Sequence, residues 1–96
     1  NNMNDTTNQQ IEELLNLPGT FHIKIMGFND PELINEVSAI ISVHVSNFNP
    51  EGDISVKPSS KGNYVALTAT IWAESKAQLD EIYSALNKHS LVKMTL

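Results

Sequence analysis

Tyr64-Val65-Ala66-Leu67-Thr68-Ala69-Thr70-Ile71-Trp72-Ala73 is the stretch on which the fold turns. Val65, Leu67, Ala69, Ile71 and Ala73 fall on one side of an extended chain, and Tyr64, Ala66, Thr68, Thr70 and Trp72 on the other. Successive side chains of a strand point to opposite faces, so this period of two predicts a long strand with one packed side.

Immediately upstream, Ile54 and Val56 alternate with Ser55 and Lys57, a shorter strand joined to the first by the turn-forming residues 58–63. Downstream, Ser75 with Gln78 has the spacing of a capping box. Leu79, Ile82, Tyr83 and Leu86 then form a helical stripe, and Lys88 and His89 complement the negative end of the helix dipole. Val92, Met94 and Leu96 alternate with Leu91, Lys93 and Thr95 as a last strand, its first three expected on the packed side.

Further upstream, Phe21, Ile23 and Ile25 oppose His22, Lys24 and Met26, and Gly27 closes that strand. Asp30 and Pro31 read as the cap and first residue of a helix. Its apolar face carries Leu33, Ile34, Val37, Ile40, Ile41 and His44, and its polar face Glu32, Asn35, Glu36 and Ser42. Nearer the N-terminus, Thr7 with Gln10 again has capping spacing, and Ile11, Leu14 and Leu15 make a short stripe ended by Pro18 and Gly19. Two turns are too short to stand alone, so this helix must dock on the domain or on a partner. Residues 1–6 read as a disordered tail.

The order strand, helix, strand, strand, helix, strand predicts an α+β fold. Two right-handed crossovers around a central hairpin give a ferredoxin-like βαββαβ two-layer sandwich. Its four-stranded antiparallel sheet carries two helices on one face, plus the short N-terminal helix, in one domain over residues 7–96. The second face is left open, lined by His22, Lys24, Met26, Ser55, Lys57, Tyr64, Thr68, Thr70, Trp72 and Lys93.

Composition narrows the function classes. Ninety-six residues, 41% hydrophobic and 18% charged, fit one globular domain with a modest core. No apolar run approaches the roughly 18 residues a membrane span needs, and the polar N-terminus lacks the layout of a secretory signal. The expectation is a cytoplasmic chain with no membrane partner. The absence of cysteine excludes disulfides and thiolate metal sites. A formal net charge of −5, with six basic residues that are all lysine, argues against nucleic acid.

Val56-Lys57-Pro58-Ser59-Ser60-Lys61-Gly62-Asn63-Tyr64 carries a family resemblance. Leu14-Leu15 ahead of a proline, Lys24-Ile25-Met26-Gly27 and Val92-Lys93-Met94 agree with it. Over residues 11–96 the sequence resembles the YbeD-like family of small bacterial proteins of unknown function. The resemblance implies a ferredoxin-like fold similar to amino-acid-sensing ACT domains and a regulatory role. It carries over no catalytic residue.

Two candidate sites follow. In the hairpin, Pro58 removes a donor, Gly62 and Asn63 tolerate positive φ, Ser59 and Ser60 offer hydroxyls and Lys61 adds charge, leading on to Tyr64. Such a loop could cradle a small anionic metabolite in a nest of N–H groups, or be no more than a tight turn with a soluble tip. On the open face, Lys24, Lys57 and Lys93 stand together while most acids fall on helices, and Trp72, Tyr64 and Met26 add apolar surface. That face suits a protein partner or self-association, or serves as a solvated face whose lysines blunt the edges.

Competing chemistries find less support. The loop Asn29-Asp30-Pro31-Glu32-Leu33-Ile34 resembles the ligand loop of ACT domains, but Glu32 stands where those often carry glycine. Lys61-Gly62 opens the third strand as an RNA-recognition motif would, yet Asn63 and Val65 replace its stacking aromatics. His22, His44 and His89 have no partner at ligand spacing, and the Ser59, Ser60 and Lys61 cluster lacks a neighbouring base. The expectation is a non-enzymatic regulatory or adaptor domain without cofactor or metal, with a metabolite sensor as the alternative.

Overall fold

A computed structural model describes residues 3–96. The elements are α1 (Met3–Leu14), β1 (Gly19–Phe28), α2 (Leu33–His44), α3 (Pro50–Asp53), β2 (Ile54–Pro58), β3 (Tyr64–Ala73), α4 (Lys76–Lys88) and β4 (Val92–Thr95). The strands form one antiparallel sheet in the order β2-β3-β1-β4. This is the expected α+β architecture, βαββαβ with an added N-terminal helix.

The alternation in β3 decides which side packs. Val65, Leu67, Ala69, Ile71 and Ala73 are buried, whereas the intervening residues are half-buried or exposed. Antiparallel partners share a face, and β1 pairs with β3 along its whole length, so Ile23 opposite Ala69 and Ile25 opposite Leu67 join the same core. Leu33, Val37 and Ile41 of α2, and Leu79, Ile82 and Leu86 of α4, close it from above.

The caps explain where the helices begin. Ser75 Oγ accepts from the Gln78 N–H at 3.2 Å. The Gln78 side chain bridges outward, accepting from the Glu74 N–H at 2.7 Å and donating to the His44 carbonyl at 2.9 Å. It thus ties the start of α4 to the end of α2. The other main helix departs from expectation: α2 starts at Leu33, after Pro31, and Asp30 Oδ1 accepts from the Glu32 N–H at 2.8 Å in a turn that precedes the helix.

Two further differences concern connections. Residues 50–53, expected as a plain linker, form the short helix α3, with Asn49 Oδ1 accepting from the Glu51 N–H. At the N-terminus, α1 begins at Met3, ahead of Thr7, and takes in residues 3–6 of the expected tail; residues 1 and 2 lie outside the described residues. α1 meets the body at its C-terminal turn, where Glu12 Oε2 accepts from the Lys76 N–H at 2.8 Å. Glu13 and Leu14 remain exposed, Leu14 by 82%.

The largest correction is in β4. A β-bulge shifts its register against β1, pairing Met26 with Met94 but Gly27 with Val92. Val92 stays buried, but Met94 and Leu96, expected beside it, move to the open face with their neighbours Met26 and Lys24. Thr95 turns the other way, its Oγ1 donating to Asn87 Oδ1 of α4 at 3.1 Å. Gly27 is what allows the chains to close there: a Cβ would lie 2.6 Å from Leu33 Cδ1 and 2.9 Å from the Leu91 carbonyl oxygen.

Candidate functional site

The open face follows from the pairing registers. Across the sheet, Lys57, Ala66, Met26 and Met94 form one row, and Ser55, Thr68, Lys24 and Leu96 the next. Phe28 pairs with Tyr64 beside the first row, their rings 5.6 Å apart and tilted. Lys93 Nζ lies 5.8 Å over the Tyr64 ring, a cation–π contact.

These rows make an apolar strip on the water side. Met26 is 37% exposed, Phe28 40%, Met94 45% and Leu96 73%. Together with Lys24 and Ala66, three of them enclose a hollow of about 110 Å³. Its size suits one apolar side chain and falls well short of the several hundred Å³ of small-molecule sites. Lys24, Lys57 and Lys93 rim the strip. Among the described residues, all eleven acids lie outside the strands, so the face is locally positive on a chain of net charge −5.

Of the residues expected at this face, the structure brings Lys24, Lys57, Lys93, Tyr64 and Met26 together. Trp72 is set apart from them. It lies on the same side of β3 but eight residues from Tyr64, roughly 26 Å at the rise of a strand. There it is 55% exposed between two shallow cavities of about 240 and 250 Å³, formed with the segment that follows α2.

Sequence reasoning missed Phe28, Met94 and Leu96. The signal was Gly27: a glycine inside a strand marks a bulge or a close backbone approach, and β1 runs through it to Phe28.

The hairpin spends its donors on itself. Gly62 N–H donates to the Ser59 carbonyl at 3.1 Å, Ser59 N–H to the Tyr64 carbonyl at 2.9 Å, and Tyr64 N–H to Ser59 Oγ at 3.2 Å. Gly62 takes φ 74°, whereas Asn63 has no positive φ, so the pair does not form the expected nest. Ser60 and Lys61 are exposed at the tip.

The loop after β1 is fastened to this hairpin. Asn29 donates through Nδ2 to the Gly62 carbonyl at 2.8 Å and through its N–H to the Asn63 carbonyl at 3.1 Å. The residues of the ACT-like loop thus serve the turn, and Glu32 remains exposed.

The histidines are dispersed into separate contacts. His22 Nδ1 meets Thr70 Oγ1 at 3.0 Å, His44 Nδ1 lies 3.4 Å from Glu81 Oε2, and His89 Nε2 lies 2.9 Å from Glu36 Oε1. Among the described residues no cluster of His, Asp or Glu could hold a metal ion, and no helix is long and apolar enough to cross a membrane.

Residues 12–96 match the model of a family described as a protein of unknown function, DUF493. A UPF0250 protein of Janthinobacterium sp. (strain Marseille) is 41% identical over 85 residues, 88% of this chain and 92% of the relative. One from Paraburkholderia phytofirmans is 43% identical over 88% of this chain and 94% of its own. One from Neisseria gonorrhoeae is 37% identical over 95% and 99%.

Proposed function

We propose, for a chain that belongs to the DUF493 (UPF0250) family, a non-catalytic regulatory or adaptor role exercised by docking protein on the open sheet face. The observation that carries this reading is the strip of Met26, Phe28, Met94 and Leu96, exposed on one face and rimmed by Lys24, Lys57 and Lys93. Scattered exposed apolar residues are ordinary, but a contiguous patch with a polar rim has the anatomy of an interface.

Methionine and aromatic side chains adapt to a partner surface, and both are enriched at interface cores. The lysine rim favours partners with acidic groups beside their apolar ones. Thioether and leucine surface at the centre, with no arginine in the chain, favours protein over nucleic acid. The hairpin borders the patch and is tied to the loop after β1 by Asn29. A small anionic metabolite is the weaker reading, because the turn already uses the N–H groups of Ser59, Gly62 and Tyr64.

The test compares proteins retained by the wild-type domain with those retained by Met94→Glu, Lys24→Glu and Trp72→Ala variants. The proposal expects the first two to lose a partner that the third keeps. A partner bound equally by Met94→Glu and wild type would refute the face as the docking surface.

A further inference from the structure

We infer that the occupant of the open face is the α1 helix of a second copy of this chain, with Leu14 seated in the hollow among Met26, Ala66, Met94 and Leu96. The inference rests on the face being a docking surface and names what it takes.

The helix and the face each leave apolar side chains uncovered. α1 is held at its last turn by Glu12, while Leu14 is 82% exposed and Leu15 38%. A twelve-residue helix is marginal alone and draws its stability from packing an apolar stripe. The sheet, conversely, has helices on one face and an apolar strip on the other, the arrangement that a further helix layer completes.

Charge selects the pairing. α1 has no basic residue and leaves Glu13 exposed beside Leu14, and the strands carry Lys24, Lys57 and Lys93 and no acid. Size agrees as well. Twelve residues of helix span about 18 Å, close to the roughly 20 Å between His22 and Phe28 along β1. The 110 Å³ hollow matches one protruding leucine.

A second copy is required because Glu12 anchors α1 at the start of α4, on the helix-covered side. Leu14, two residues beyond that anchor, is therefore held away from the hollow on its own open face.

Sedimentation equilibrium of the full chain tests the pairing. Wild type is expected to pass from 10.6 kDa to higher mass as concentration rises. Leu14→Lys and Met94→Glu, both at exposed positions, are each expected to weaken association by at least about tenfold. Mixed in equal amounts, the two variants should recover a 1:1 complex, since one intact helix then meets one intact face.

Wild type that stays at 10.6 kDa throughout would overturn the inference, as would association that ignores Leu14→Lys or a mixture that recovers nothing. If Met94→Glu abolishes binding of another protein while Leu14→Lys changes nothing, the face docks that protein and α1 is not its occupant. If Met94→Glu alters neither, the docking surface itself is refuted.

Discussion

His89 Nε2 lies 2.9 Å from Glu36 Oε1, joining the C-cap of α4 to the first turn of α2. The same ring accepts the Leu91 N–H at Nδ1, 3.1 Å away, which places the proton of the neutral imidazole on Nε2. One side chain thus holds two helices and the entry to β4. His89→Ala should cost about 1–2 kcal/mol in urea unfolding, since two hydrogen bonds are lost together. Glu36→Gln, which keeps an acceptor at a half-exposed site, should cost roughly 0.5 kcal/mol or less.

Glycine substitutions should separate crowding from backbone strain. Gly27→Ala forces a methyl against Leu33 and the Leu91 carbonyl, and overpacking of this kind costs about 1–3 kcal/mol. Gly62→Ala meets nothing within 4 Å but must hold φ 74°, at a cost of about 1–2 kcal/mol. Chemical-shift changes should spread to β4 for the first and stay in the hairpin for the second.

Alkaline stability should report Tyr83. Burial raises its phenol above the ordinary value of 10.0, and the hydroxyl donates to the Leu96 carbonyl at 3.0 Å. The folded state therefore keeps this proton to higher pH than the unfolded chain does. The corresponding stability is complete below pH 10 and declines above it, until the folded phenol also ionises. Tyr83→Phe should remove that part of the decline, measured by denaturant titrations at pH 9 and 11.

Met94→Glu should separate docking from folding. At 45% exposure, Met94 can be replaced with a change in unfolding free energy within about 0.5 kcal/mol. Leu67→Ala, at a fully buried position of β3, should cost about 2–5 kcal/mol. A Met94→Glu variant as unstable as Leu67→Ala would mean that the strip belongs to the core.

The fold was readable because β3 repeats its rule five times: each of Val65, Leu67, Ala69, Ile71 and Ala73 alone would be ambiguous, but together they set the packed side of every paired strand. Lys24 and Lys57, paired with Thr68 and Ala66 of β3, were readable at the open face for the same reason. The apolar strip was not. Leu91, Val92, Met94 and Leu96 give β4 apolar residues in both phases, so its pattern cannot reveal a register slip. The slip goes with the close approach of the Leu91 carbonyl to Gly27 and Phe28, a contact distant in sequence. The start of α2 was misplaced for a local reason: an Asp30 side chain that caps a turn resembles, in sequence, one that caps a helix.

Confining the acids to helices and loops while Lys24, Lys57 and Lys93 occupy the strands makes the sheet the more positive layer of an acidic molecule. An anionic surface drifting within about 10 Å, the screening distance at ordinary ionic strength, would turn the protein so that its β-layer leads. Orientation would then precede touch. Added salt should slow arrival far more than it hastens departure, so the rate of capture, rather than the lifetime of the complex, carries the signature of where the lysines sit.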